Sequence, residues 1–221
     1  MLLENMTIVV TGANGALGRA AVVAATGHGA RVIEFDLGFD ADAADRYVVD
    51  LTNREIIAGC LSDIGPVDAL FNIAGGFDMG KTVHETDDAL WDNMYRMNVL
   101  TVRNMVAAVV PGMIERRQGA IVNVGALAAH NGQAEMGAYI AAKSSVMRLT
   151  ESMAKELRHQ GINVNAVLPS IIDTPANRTA MPDADHSEWV DPTDLAEVIC
   201  FLASPRAHAV HGALVPVTGL A

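Results

Sequence analysis

The chain is poor in basic residues: 15 Lys and Arg stand against 26 Asp and Glu, for a formal net charge of −11. A surplus of this size repels a phosphate backbone and an anionic bilayer, so no nucleic-acid or membrane partner is expected. Cysteine is nearly missing. Cys60 and Cys200 sit in apolar surroundings without C-x-x-C spacing, which excludes a redox or zinc motif and predicts two buried, reduced thiols. The seven histidines are scattered, and the one close pair, His208 and His211, has no Cys or acidic ligand beside it, so no metal site is expected. No uninterrupted apolar run reaches the roughly 20 residues of a membrane span. The N-terminus, "MLLENMTIVV", carries Glu4 where a secretory signal carries basic residues. A soluble, cytoplasmic protein is expected, without internal repeats, low-complexity tracts or linkers.

What the chain does have is 51% hydrophobic residues over 221 positions, enough for one domain, residues 1–221, with its own core. Short β-branched runs at 6–10, 30–36, 46–50, 67–75, 120–126, 162–169 and 213–219 read as strands. Most are continuously apolar, as strands buried on both faces are. Helical patterns cover 15–27, 52–62, 87–117, 137–160 and 192–203, the last opened by Asp191 as N-cap and Pro192 at the first helical position. The alternation predicts an α/β, Rossmann-type, doubly wound parallel sheet of seven strands with helices on both faces. The stretch 170–190 has no strand character, and a loop of that length is usually functional.

The first strand runs into "TGANGALG", Thr11–Gly18. Gly12, Gly15 and Gly18 allow a tight turn, approach of backbone to a pyrophosphate and close helix packing, with Asn14, Ala16 and Leu17 completing the loop at the helix start. The second strand ends in Asp36, placed to accept from adenosine ribose hydroxyls and to repel a 2′-phosphate, so NAD(H) is expected over NADP(H). Asp50 and Leu51 end the third strand, where an acid meets the adenine amino group and a leucine covers the ring. "NIAGG", with Asn72, Ala74, Gly75 and Gly76, ends the fourth, where small residues admit a cofactor ribose. In "GAYIAAK" a phenol and an ammonium, Tyr139 and Lys143, stand four residues apart on one helix face. The pattern fits either an amphipathic surface helix or an acid catalyst whose pKa the cation lowers.

With this cofactor end in place, Tyr139-x-x-x-Lys143 resembles the short-chain dehydrogenase/reductase superfamily across nearly the whole chain. "NIAGG", Asn98 in "YRMNVL" and "LPSIIDTP" fall where that family's motifs fall. The resemblance implies Tyr139 as general acid/base. It implies Lys143 lowering the tyrosine's pKa and binding the nicotinamide ribose, and Asn98 supporting a proton-relay water. Pro169, Ile171 and Thr174 would line the nicotinamide side. One residue departs: the family's serine, thirteen positions before the tyrosine, is Ala126 here, and a methyl cannot donate to a substrate carbonyl. Within the superfamily the chain is similar to the quinonoid dihydropteridine reductases, which have alanine there. "GALG", "AGG", Gly125-Ala126 and "DTPANRTAMPDAD" with Trp189 beyond carry that likeness. Phe77, where the mammalian-type reductase has tryptophan, and the retained Asn98 depart from it.

These features imply an NAD(H)-dependent reductase acting on a small molecule, a conjugated acceptor such as a quinonoid dihydropterin. Ala126, Phe77 and Met181 are expected on the substrate side, and 170–190 as a lid. Two alternatives stand beside it: a carbonyl/alcohol oxidoreductase with another donor, and a catalytically silent NAD(H)-binding sensor. The resemblance implies a homo-oligomer, dimer or tetramer, paired through 87–117 and 137–160, and the apolar pattern of those two helices supports it.

Overall fold

The computed structural model describes residues 1–220. Its seven strands are β1 (Thr7–Thr11), β2 (Arg31–Asp36), β3 (Arg46–Val48), β4 (Ala69–Asn72), β5 (Gly119–Val124), β6 (Ile162–Pro169) and β7 (Leu214–Val217). They form one sheet in the order β3-β2-β1-β4-β5-β6-β7, all parallel. The sheet side chains alternate between two cores. Ile8 and Val10 of β1, with Phe71 and Val122, meet Leu17 and Ala21 of α1 (Ala16–Gly27) and Leu195 and Ile199 of α7 (Pro192–Ala203). Val9, with Phe35, Leu70 and Ile121, faces the other way onto α2 (Arg54–Ile64), α4 (Thr101–Arg116) and α5 (Gly137–Leu157). Burial on both faces explains why the strands read as unbroken apolar runs.

Several boundaries differ from expectation. The pattern over 87–117 is interrupted: α3 (Asp88–Tyr95) and α4 are joined by a π-helical turn, Arg96–Leu100, which a hydrophobic period does not reveal. Together they form a helix, Asp88–Arg116, that by length and mean hydropathy alone could cross a bilayer, although Asp92, Arg96 and Arg103 interrupt its apolar run as expected from the sequence. Its Met105, Val109 and Met113 pack against the sheet. The segment 170–190 is not a plain loop. It holds α6 (Pro175–Ala180), which Thr174 caps, a 3₁₀ turn at His186–Glu188 and an Ile172–Val190 bridge. Its Trp189 is buried. Of the two thiols, both free, Cys200 is buried as expected, while Cys60 is only half-buried.

Residues 37–45 join β2 to β3 without a helix. There Arg46 pairs with Glu34 (3.2 Å) and lies over the Phe39 ring.

Candidate active site

Strand order reverses at β1, whose neighbours are β2 and β4, and an open parallel sheet presents its ligand crevice at the carboxyl ends of the strands around that point. Three things shape this crevice. Gly12 adopts φ +67°, and Gly18 packs so closely that a Cβ there would stand 1.9 Å from the Gly12 carbonyl oxygen. Gly15 is the N-cap of α1 and offers no side-chain cap, so the first-turn amides have no side-chain partner. Thr11, not singled out from sequence, joins the two strand ends: its Oγ1 accepts from the Ile73 and Ala74 amides at 3.1 Å and donates to the Phe71 carbonyl.

Asp36 is held in place by two backbone donors, Asn14 N at 2.8 Å and Leu37 N at 2.7 Å. Arg19, also unanticipated, donates to the Asn14 carbonyl and side chain and pairs with Asp40 at 2.9 Å. Its only sequence signal is its place one residue after Gly18. Asp50 accepts from Thr52 N and Oγ1, which hold its carboxyl below the usual range. Leu51 is buried, with its carbonyl accepting from Asn104.

Asn72 does not lie where the sequence suggested. Its side chain is buried and donates to Asn123 Oδ1 (2.9 Å), and Asn123 donates on to Thr150 Oγ1 (2.8 Å). The side chain joins strands to α5 and is not offered to the crevice. Ala74, Gly75 and Gly76 do border it. A Cβ at Gly75 would meet Asn98 Oδ1 at 2.6 Å and Lys143 Nζ at 3.3 Å, and one at Gly76 would meet Met97. The glycines therefore let Asn98 and Lys143 come up to the β4 end.

Asn98 sits in the π-helical turn, a distortion that often marks functional positions. Its side chain is committed to backbone, accepting from Gly76 N and donating to the Gly76 and Met94 carbonyls. Lys143 is buried and donates to the Val124 carbonyl at 2.9 Å, and burial pushes its pKa down to about 8. Tyr139 is half-buried, with the Phe77 ring edge-on at 4.8 Å. Burial pushes the phenol up to about 12. The expectation of a lowered phenol pKa is thus reversed in the protein by itself, because desolvation dominates while the ammonium is engaged by Val124.

Ala126 is buried among Ala129, Ile140, Met147 and Leu168, with Tyr139 and Met136 packed against this group. Neither nearby serine replaces the missing hydroxyl: Ser144 donates to the Ala129 carbonyl and Ser145 to Ala141. On the β6 side Pro169 ends the strand, Ile171 is partly exposed, and the Thr174 hydroxyl accepts from Asn177 N as a helix cap. Met181 is half-buried, its carbonyl 2.9 Å from His186 Nε2. Two clefts, of about 280 and 450 Å³, lie at the amino ends of the strands and contain none of these residues. Among the described residues no three His, Cys, Asp or Glu side chains are grouped to hold a metal.

A dinucleotide fits this crevice. The glycine turn and uncapped amides suit a pyrophosphate, Asp36 suits a ribose diol, and the side-chain-free Gly75 leaves room beside Lys143.

Residues 6–185 match the profile of the short chain dehydrogenases. The chain belongs to the short-chain dehydrogenase/reductase family, and its chemistry is that of an oxidoreductase. It is 31% identical to a 3-oxoacyl-[acyl-carrier-protein] reductase of Thermotoga maritima, over 99% of this chain and 98% of that one. It is 32% identical to a 2-(S)-hydroxypropyl-CoM dehydrogenase of Xanthobacter autotrophicus, over 98% and 96%. Among solved structures it superposes with TM-score 0.89 on an NAD(P)-dependent gluconate 5-dehydrogenase-type protein of Beutenbergia cavernae with bound NADP. That match has 26% identity and covers 98% of this chain and 96% of the other.

Proposed function

We propose that the chain is an NAD(H)-dependent reductase that delivers hydride to a flat conjugated acceptor, with quinonoid dihydropterin the first candidate. Tyr139 is its general acid. Lys143 holds the nicotinamide ribose and, once drawn from Val124 towards it, favours the phenolate left after proton transfer. Asn98 fixes the backbone at Gly76 and Met94 around the proton path. Asp36 supports NAD(H) over NADP(H), since its carboxylate occupies the strand end where a 2′-phosphate would stand. The bound nicotinamide supplies the hydride; the residues described supply position and the proton.

One observation carries the choice of acceptor. A buried methyl, Ala126, packs with Tyr139 where a carbonyl reductase needs a donor, and Ser144 and Ser145 are both bonded elsewhere. Hydride addition to a conjugated ring spreads charge over several nitrogens and does not localise it on one oxygen, so a single acid suffices. The second reading, carbonyl/alcohol chemistry, is supported by likeness to relatives named for 3-oxoacyl and hydroxypropyl substrates. Ala126→Ser separates the two. Turnover of a conjugated acceptor should stay flat or fall slightly, whereas a carbonyl reductase should gain on the order of tenfold or more from a restored donor.

A further inference from the structure

The segment after β4 crosses the start of α5 and is fixed there. Gly80 N donates to the Glu135 carbonyl at 2.9 Å, and the Val83 side chain lies so close to Gly137 that a Cβ there would meet it at 2.8 Å. Along this anchored segment three large apolar side chains face solvent: Phe77, 54% exposed, Met79, 50%, and Val83, 64%. Phe77 does so while its ring stands at 82° to Tyr139. A half-exposed aromatic beside the acid is a surface for a planar partner.

Charge gives a second, independent constraint. The two segments that meet Tyr139, residues 73–87 and 127–136, together with 170–190, which follows the carboxyl end of β6, hold eight carboxylates against two cations, six of the chain's eleven excess negative charges. Neither cation is free. Lys81 pairs with Asp87 at 2.8 Å, and Arg178 is gripped by both oxygens of Asp173 at 2.5 and 2.6 Å. An anionic substrate would find apolar surface and repulsion along these segments, with no unpaired guanidinium or ammonium in them to receive it.

We infer that the acceptor reduced at Tyr139 is a flat molecule with an apolar face and no negative charge, that Phe77 contacts that face, and that phosphorylated, carboxylated or carrier-protein-linked substrates are excluded. This rests on the oxidoreductase reading above.

The test uses three matched probes, 1-phenylpropane-1,2-dione unsubstituted and with a para-carboxylate or para-trimethylammonium group. Each is measured by calorimetric binding to the NAD⁺-loaded protein and by NADH oxidation. The carboxylate should bind at least tenfold more weakly than the neutral probe and the cation at least as well, with the gap closing as salt rises. Phe77→Ala should weaken all three by about fivefold or more with NADH affinity unchanged. Joining Asp87→Asn to Asp173→Asn frees Lys81 and Arg178 and should narrow the gap; asparagine keeps the cap that Asp87 provides to α3. A carboxylate bound as well as the neutral probe, no binding of any probe to the loaded protein, or indifference to Phe77→Ala would overturn the inference. Failure to bind NADH at all would instead overturn the oxidoreductase reading beneath it.

Discussion

Lys143 shows what the site costs the fold. It is a buried ammonium with one carbonyl partner, and its pKa falls from 10.5 to about 8. Between those values the unfolded chain holds the proton and the folded chain has released it, so wild-type stability should rise with pH from about 8 to 10.5. Tyr139 acts in the opposite direction: with its pKa raised from 10 to about 12, stability should fall as pH climbs through that interval. Lys143→Met should stabilise the protein at pH 7 by about 1–3 kcal/mol in denaturant melts, remove the rise above pH 8, and abolish turnover. A destabilised variant would show that the ammonium contributes net stability. In the sequence Tyr139 and Lys143 stood out by their spacing, which alone fitted a surface helix as well, and Asn98 entered only through the family resemblance. The electrostatic state of Tyr139 and Lys143 was not legible there, because it depends on how far each group is buried and on where the Lys143 amine points.

At the scale of elements, the glycine turn and α1 form one unit. A methyl at Gly18 would overlap backbone at Gly12 and Ala13, and backbone cannot step aside as a flexible side chain can. Gly18→Ala should cost about 3 kcal/mol or more and weaken NADH binding at least tenfold. Gly27→Ala, at the far end of the same helix with nothing within 4 Å of the added Cβ, should stabilise by about 0.5–1 kcal/mol and leave binding alone. Equal effects of the two substitutions would remove the turn's special role. Strand and helix order could be read from hydrophobic period, and Asp191 with Pro192 marked the start of α7 correctly. The π-helical turn could not, because an apolar stripe continues through it with the same residue types. Helix α6 escaped for another reason: at six residues it is shorter than any periodic signal, and only the Thr174 cap and Pro175 hinted at it. Asn72 was misplaced because strand alternation sends its side chain into the layer beneath, where Asn123 and Thr150 satisfy it.

Across the whole molecule, the surplus of carboxylates is not spread evenly: residues 73–87, 127–136 and 170–190 carry six of the eleven excess negative charges, the distribution on which the proposed exclusion of anionic substrates rests. The oligomer expected from sequence has its proposed interface on α4 and α5. There the exposed side chains are largely small or polar, Ala107, Pro111, Ala141, Ser145 and Ser152, with Tyr95 and Ile114 as the larger apolar groups nearby. Small side chains permit close helix approach between copies. Sedimentation velocity should give two or four times the mass of the chain, and Ile114→Asp should shift it downward. A wild-type monomer would contradict the assignment.

The proposed reaction is reduction of a conjugated acceptor by NADH with Tyr139 as its acid and Ala126 in place of a hydroxyl donor. The most direct test is NADH and NADPH oxidation against freshly generated quinonoid dihydropterin, with quinones, diketones and aldehydes alongside, for the wild type and Tyr139→Phe. The conjugated acceptor should be turned over, faster with NADH, and removing the phenol hydroxyl should cost at least about a hundredfold. Turnover confined to simple carbonyls, or a conjugated reduction unaffected by Tyr139→Phe, would contradict the proposed reaction.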